Sequence, residues 1–509
     1  MNTMSFPSVR VDGLTLILGL GETGLAAALW CAAQGARLRV LDTRAEPGGL
    51  SALQQALSES QVDYRLGPDA LAEEALHDAH TIVLSPGLSP HQPPISEFLV
   101  LASGRGIEVI GEIELFARAL ADMAQQGYQP KVLAVTGTNG KTTVTAMARQ
   151  LVQACGLAAR VAGNISPAAL TALSEALAAD DLPDVWVLEL SSFQLESTRT
   201  LAPDAAVVLN VTQDHLDWHG SMQAYAAAKA RLLGMSRIAI VNRDDSLVMR
   251  MVDNVRGLAV RSFGHGMPEY EGDLGLEGSH GVLWLAAAEA LDFDLPAAPT
   301  RRKKPVAEPL RAEGKPARLM PVDALHVRGQ HNALNALAAL GLARSLDLGW
   351  ANMLHALRDY AGEAHRTEFV RSIAGIDFIN DSKGTNVGAT VAALEGMGAR
   401  VVLIAGGLGK GQDFSPLAQA VRNHARAVVL IGQDAGLIEQ AIAATGVHTE
   451  HAATLGQAVN RSIELAQPGD TVLLSPACAS MDMFRNYGHR GSSFVDEVQE
   501  LALSRGEVA

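Results

Sequence analysis

The residues best equipped for chemistry lie in one short run. Thr136 to Thr143 read TGTNGKTT, directly after the apolar run KVLAV and ahead of a segment with helical spacing. Glycines in such a loop let successive backbone N–H groups turn toward an anion, and the following helix N-terminus adds its dipole. A phosphate chain would lie against Gly137, Thr138, Asn139 and Gly140, with Thr143 and Val144 in the helix beneath. Lys141 would reach the terminal phosphates, and the Thr142 hydroxyl would bind Mg²⁺. The usual spacing G-x-x-x-x-G-K-[ST] is not kept, because Val135 stands where the first glycine belongs. A glycine turn with a chance lysine is the bland alternative, and the strand–loop–helix setting argues against it. Downstream, VLELSSFQLE ends a strand at Glu189, VLNVTQDHLDWHG carries His215 and Asp217, and YAAAKARLL carries Lys229 on a helix. Taken singly, that glutamate reads as a cap or ion-pair partner and that lysine as a solvated side chain.

The elements that must position these groups alternate: short apolar strands with longer alanine- and leucine-rich helices. That alternation predicts an α/β protein with parallel sheets. A chain of 509 residues exceeds one core and divides into three domains, 1–125, 126–361 and 362–509. ADMAQQGYQP reads as the first linker, and Pro296 to Pro321, rich in proline, arginine and lysine, reads as an exposed flexible insertion. The first domain opens with LTLIL, the loop GLGETG (Gly19 to Gly24) and a strand ending at Asp42. This is the outline of a dinucleotide fingerprint, so an NAD-dependent oxidoreductase is the plain reading of that domain alone.

Composition removes other classes. A net charge of −15 and only 4% aromatics argue against a nucleic-acid partner. No run approaches the roughly 18 apolar residues of a membrane span, and the N-terminus lacks signal-peptide features, so a cytoplasmic location is expected. Cys31, Cys155 and Cys478 are too scattered for a disulfide framework or a zinc site.

The short loop, followed in order by Glu189, His215 and Lys229, resembles that of the Mur ligases and folylpolyglutamate synthases. The resemblance implies three domains: a Rossmann-like N-terminal domain, a central P-loop-type mononucleotide-binding ATPase domain and a Rossmann-like C-terminal domain. It implies ATP as substrate and two Mg²⁺ sites, one held by Thr142 and Glu189, the other by His215 and a carbamylated Lys229. A carbamate is chemically sensible, since CO₂ adds to a neutral amine and leaves an anionic oxygen of the kind Mg²⁺ prefers. By the same resemblance Asn332 and Asn335 of GQHNALNALAAL contact adenine, and Arg366 of EAHRTE lies across the phosphates. FINDSKGTN then supplies Asp381 for the ribose, Lys383 toward the phosphates and Thr385 toward the amino acid.

The first and third domains decide between relatives. The glycine loop is similar to that of the glutamate-adding branch, where it cradles a UDP diphosphate. Gly21, Glu22, Thr23 and Gly24 would then hold the diphosphate, while Asp42, Thr43 and Arg44 surround uracil and Ser85 and Asn164 meet the substrate further along. LLSPACASMDMFRNYGHRG resembles a D-glutamate pocket, with Ser480 and the backbone after it at one carboxylate, Tyr487 nearby, and Lys410 at the other carboxylate. The family often has Asp at Leu408 and Phe at Tyr487, and no DNPR-type motif of the diaminopimelate-adding relative is present. The implied substrates are UDP-N-acetylmuramoyl-L-alanine, D-glutamate and ATP, joined by a monomer through an acyl phosphate, with Lys141 and Arg366 neutralising charge. A sibling ligase with another acceptor is the alternative, and a non-catalytic nucleotide switch is a further one.

Overall fold

The computed structural model describes residues 4–253, 257–290, 311–327 and 329–507. The first sheet holds β1 (Leu14–Leu18), β2 (Arg37–Asp42), β3 (Val62–Leu66), β4 (Ala79–Leu84) and β5 (Glu108–Ile110), all parallel, in the order β3-β2-β1-β4-β5. The second holds β6 (Lys131–Thr136), β7 (Ala159–Gly163), β8 (Val185–Glu189), β9 (Ala205–Val208), β10 (Ile238–Asn242) and β11 (Ala259–Phe263). These too are parallel, in the order β11-β10-β9-β6-β8-β7. Every residue of β1, β8 and β9 is buried. That is why their sequences are unbroken apolar runs: helices cover both faces of a parallel sheet, so neither face can be polar.

A third, antiparallel sheet joins β12 (Leu274–Ser279), β13 (Val282–Ala290) and β14 (Gly314–Pro321). The fourth contains β15 (Glu368–Ile373), β16 (Ile376–Asn380), β17 (Val401–Gly406), β18 (Ala425–Ile431), β19 (His448–His451) and β20 (Thr471–Leu474). Its order is β15-β16-β20-β17-β18-β19, with only β15 antiparallel to its neighbour. The mixed α/β class is therefore as the alternation predicts.

Two expectations need correction. The basic, proline-rich segment is not a loop to its end: Gly314–Pro321 is strand β14, with Met320 buried opposite Leu285. Its prolines are tolerated because β14 is an edge strand, where a missing N–H leaves no ladder bond unmade. Residues 296–310 of that segment lie outside the described residues. The expected linker ADMAQQGYQP is also partly structural, since the helix Glu112–Ala124 runs into it and buries Met123 completely.

The first two sheets share one apolar core, in which Phe116 of that helix meets Trp186 of β8 edge-on at 5.3 Å. The fourth sheet has separate cores on its two faces.

Candidate active site

β6 delivers the phosphate loop to the carboxyl end of the second sheet, beside the strand pair where the chain's course reverses, the usual ligand position in such sheets. Gly140 closes the loop at φ +83°, a conformation that favours glycine, and a β-carbon there would come within 2.6 Å of the Asn335 side chain. Behind it runs the helix Lys141–Ala154. Lys141 Nζ donates to the loop carbonyls of Gly137 (2.9 Å) and Thr138 (2.8 Å). Thr142 donates its hydroxyl to one oxygen of Glu189 at 2.6 Å, and Asn164 donates to the other at 2.8 Å. Arg366, arriving from the segment before β15, donates to the same Thr142 hydroxyl.

These groups line a cavity of about 510 Å³ that also takes in His215, Asn332, Asn335, Asp381, Lys383, Thr385 and Lys410. The helix Gln330–Arg344 presents Asn332 and Asn335 on one face, the second donating to the first at 3.2 Å. Val144 is fully buried, its side chain in the apolar core beneath the loop, and it does not line the cavity. His215 and Lys410 have φ of +53° and +54°, a region that costs a non-glycine residue about 1–2 kcal/mol and that clusters at functional sites.

Burial sets the charges. Lys229 is 1% exposed, its Nζ donating to Gly137 O at 2.9 Å and lying 4.5 Å from the Tyr225 ring centre. Desolvation, and then the nearby Lys141 charge, pull its pKa well below the ordinary lysine range. His215 is held below its usual value by burial, opposed by Asp214 and reinforced by Lys141 and Lys229, which favours a neutral imidazole. Burial pushes the Asp381 carboxyl up to about 7, while Ser475 and the Thr367 N–H donate to it. Burial, with Arg366 and Lys141 nearby, lowers Lys383 to about 8.

The donor set suits one hard cation well: a hydroxyl and a carboxylate already in contact, facing a cavity with room for phosphate oxygens. Lys229 as an amine is a poor Mg²⁺ ligand, and only its carbamate would match. Among the described residues no group of three or more His, Cys, Asp or Glu is arranged for a metal.

The remaining expected residues fall elsewhere. Gly21–Gly24 open the helix Glu22–Ala33 at the first sheet, and Glu22 meets the hydroxyl of Ser166 near Asn164. A β-carbon on Gly24 would sit 1.9 Å from Gly19 O, so the turn requires glycine. Asp42 accepts from Leu20 N with one oxygen and from Arg44 with both. A carboxylate so engaged is badly placed to hold a ribose diol, which weakens the NAD reading. Thr43 is exposed, and Ser85 donates to Gly19 O at 2.7 Å. Ser480 is buried next to the cavity-lining segment, and Tyr487 offers its ring to Lys383 Nζ at 3.8 Å.

Sequence reasoning missed Asn210, Asp214, His331, Asn386 and Gln412, all of which line the cavity. Asp214 and Asn386 adjoin residues it did name. Phe193 was passed over as well, yet its ring lies 4.7 Å from that of His215 and 4.6 Å from that of Trp218.

Three family profiles match in chain order: the Mur ligase MurD-like N-terminal domain over residues 14–111, the Mur ligase middle domain over 135–285, and the Mur ligase glutamate ligase domain over 365–478. The chain belongs to the Mur ligase family. A UDP-N-acetylmuramoylalanine–D-glutamate ligase of Bordetella bronchiseptica is 67% identical, covering 97% of this chain and 98% of that protein. One from Cupriavidus pinatubonensis is 55% identical over 96% and 97%. Solved Mur ligases share the fold: Thermotoga maritima MurC has TM-score 0.54 at 18% identity, covering 96% of this chain and 99% of its own. T. maritima MurF in complex with ADP has TM-score 0.55 at 16% identity, covering 86% and 97%. No described helix is long and apolar enough to cross a membrane.

Proposed function

We propose that this Mur ligase joins D-glutamate to the alanyl carboxylate of UDP-N-acetylmuramoyl-L-alanine, converting ATP to ADP and phosphate in peptidoglycan precursor synthesis. One observation carries the reading. The phosphate loop and Glu189 of the second sheet share a single cavity with Arg366, Lys383, Thr385 and Lys410 from the fourth sheet's unit. A nucleotide and an amino acid can therefore meet there, and the names of relatives up to 67% identical over nearly the whole chain supply the chemistry.

In this reading the γ-phosphoryl group passes to the alanyl carboxylate, and the D-glutamate amine then attacks the acyl phosphate and expels phosphate. Lys141 and Arg366 hold and neutralise the transferring group, so the reactants are in line rather than covalently assisted. Asn164, tied to Glu189, stands two residues before Ser166, which meets Glu22 of the first sheet's glycine loop, and it would meet the reacting end of the UDP-substrate. Lys410 and Ser480 would hold the two carboxylates of D-glutamate. Thr142 and Glu189 would hold one Mg²⁺, and His215 with carbamylated Lys229 a second. When bound, these ions supply charge stabilisation for phosphoryl transfer and for the tetrahedral oxyanion. We read the enzyme as a monomer, since the groups proposed for ATP and for Lys410's carboxylate line one cavity of a single chain, and as cytoplasmic, where nucleotide-linked precursors are made.

Phosphate release tests this directly. With ATP and UDP-N-acetylmuramoyl-L-alanine, D-glutamate should support turnover and the other amino acids of a panel should not. Preference for another amino acid would make the protein a sibling ligase, and ATP binding without release in any combination would make it a switch.

A further inference from the structure

Arg490 lies in the first turn of the helix Tyr487–Ser504 and is only 1% exposed. Its hydrogen-bond partners are neutral: Nε donates to Ser382 Oγ at 3.1 Å, and Nη2 donates to Ser382 O at 2.9 Å and Cys478 O at 3.1 Å. Ser382 adjoins Lys383 in the segment leading to Thr385, and Cys478 stands two residues before Ser480. Ser382 in turn donates to Tyr487 O at 2.8 Å, closing the bracket on the helix that bears Arg490. One more bond stitches the two segments, Ala477 N to Gly384 O at 2.9 Å.

A buried cation is a poor choice if stability were all that mattered. Removing it from water costs several kcal/mol, and a well-packed apolar side chain is often as stabilising. Burial pulls the Arg490 guanidinium down to about 10, opposed by Cys478 and then by Asp482 and Asp381. What an apolar residue cannot do is donate in several fixed directions, and a lysine cannot reproduce the planar fork.

We propose that Arg490 is the positioning residue of the amino-acid pocket: its guanidinium bridges the Lys383–Thr385 segment to the Ser480 segment and so fixes the spacing of the groups around D-glutamate. The inference rests on the reaction proposed above. None of the Arg490 hydrogen bonds goes to the phosphate loop, which the second sheet positions independently. Both bridged segments carry groups proposed for D-glutamate, Thr385 and Ser480, whereas only one carries groups proposed for ATP, Asp381 and Lys383. Losing the bridge should therefore degrade amino-acid binding far more than nucleotide binding.

The test uses the full chain, with thermal unfolding alongside steady-state kinetics. Arg490→Lys keeps the charge but can reach one segment at a time. It should raise the KM for D-glutamate about tenfold or more, as expected for a lost charge-assisted hydrogen bond, with the KM for ATP within about twofold. Ser382→Ala removes one acceptor and should give a smaller rise in the same constant. Added to Arg490→Lys it should do little more, since the two act through one bridge. Equal rises in both KM values, a D-glutamate KM within about twofold of wild type, or additive effects in the double variant would overturn the proposal. Failure of the wild type with D-glutamate but success with another amino acid overturns the reaction assignment instead, and the same ratios are then read for that amino acid. Failure with every amino acid overturns both.

Discussion

Few charged side chains among the described residues are enclosed as completely as Lys229, and enclosure settles what it can be. With its amine desolvated and Lys141 close by, the ammonium form is disfavoured, which is the condition for reaction with CO₂. If Lys229 acts as a carbamate it is an anionic ligand, and arginine cannot replace it. Lys229→Arg should then lose turnover as fully as Lys229→Ala, and acetate or formate should restore part of the alanine variant's activity. Lys141→Ala should not respond, because there the missing group is a cation. Appreciable activity in Lys229→Arg, with amines rather than acids rescuing Lys229→Ala, would reverse the assignment. At this scale the sequence was most readable where a residue follows a strand within a motif. Thr142 and Glu189, 47 positions apart, meet at 2.6 Å because adjacent parallel strands end side by side. Asp42 was less readable, since nothing in its own segment announces the grip of the Leu20 N–H, 22 positions earlier.

Helices and strands carry their own consequences. The helix Ala169–Ala178 has no side-chain cap of its own, and its Leu170 N–H is received at 2.6 Å by Glu112, which begins the helix Glu112–Ala124. Burial pushes the Glu112 carboxyl up to about 7 from an ordinary 4.5. A proton held more tightly in the folded state favours folding at low pH. That contribution is complete below about 4.5 and is lost as pH rises through about 7, at up to about 1.4 kcal/mol per pH unit. Glu112→Gln cannot ionise, so its melting temperature relative to wild type should climb between pH 5 and pH 8. A difference that stays level over that range would show that Glu112 does not titrate as described. A second prediction concerns β14. Ala290 of β13 pairs with Gly314, so the chain ends flanking residues 291–313 are brought together, and closing such a gap with a short linker is entropically easy. A Gly/Ser linker for 296–310 should leave turnover within a few-fold, whereas extending the replacement to Pro321 should destabilise the protein by removing an edge strand and the buried Met320. Equal tolerance of both would count against β14. Composition misled here because proline and lysine mark edge strands as well as loops.

Across the whole molecule, the unit built on the fourth sheet has its own cores and touches the phosphate loop through polar groups. Asn139 and Asn386 exchange two amide hydrogen bonds, at 3.0 and 3.2 Å, across 247 positions of sequence, and Asn386 also lies 3.4 Å from Asp214. No local pattern could foretell that pairing, although both asparagines sit inside motifs that are plain to read. Asn386 is the N-cap of the helix Val387–Gly396, a role aspartate fills equally well. Asn386→Asp should thus preserve the helix while setting a carboxylate against Asp214. Small-angle scattering should report a larger radius of gyration, and the KM for ATP should rise about five- to thirtyfold, the effect of 1–2 kcal/mol. An unchanged scattering curve with wild-type kinetics would remove this pair from domain closure.

The aromatic file at the seam has a use outside chemistry. Phe193 stacks on Trp218 and meets His215 edge-on, and Trp218 also lies 4.4 Å from the ring of His219, which burial holds to about 4 and therefore uncharged at neutral pH. With only five tryptophans in the chain, Trp218 is an optical probe already in place. Through these contacts, an event that reorients His215 is expected to change the surroundings of an indole that is only 8% exposed. Its emission should change as the cavity fills, and Trp218→Phe should abolish that signal, giving a label-free clock for the first binding step.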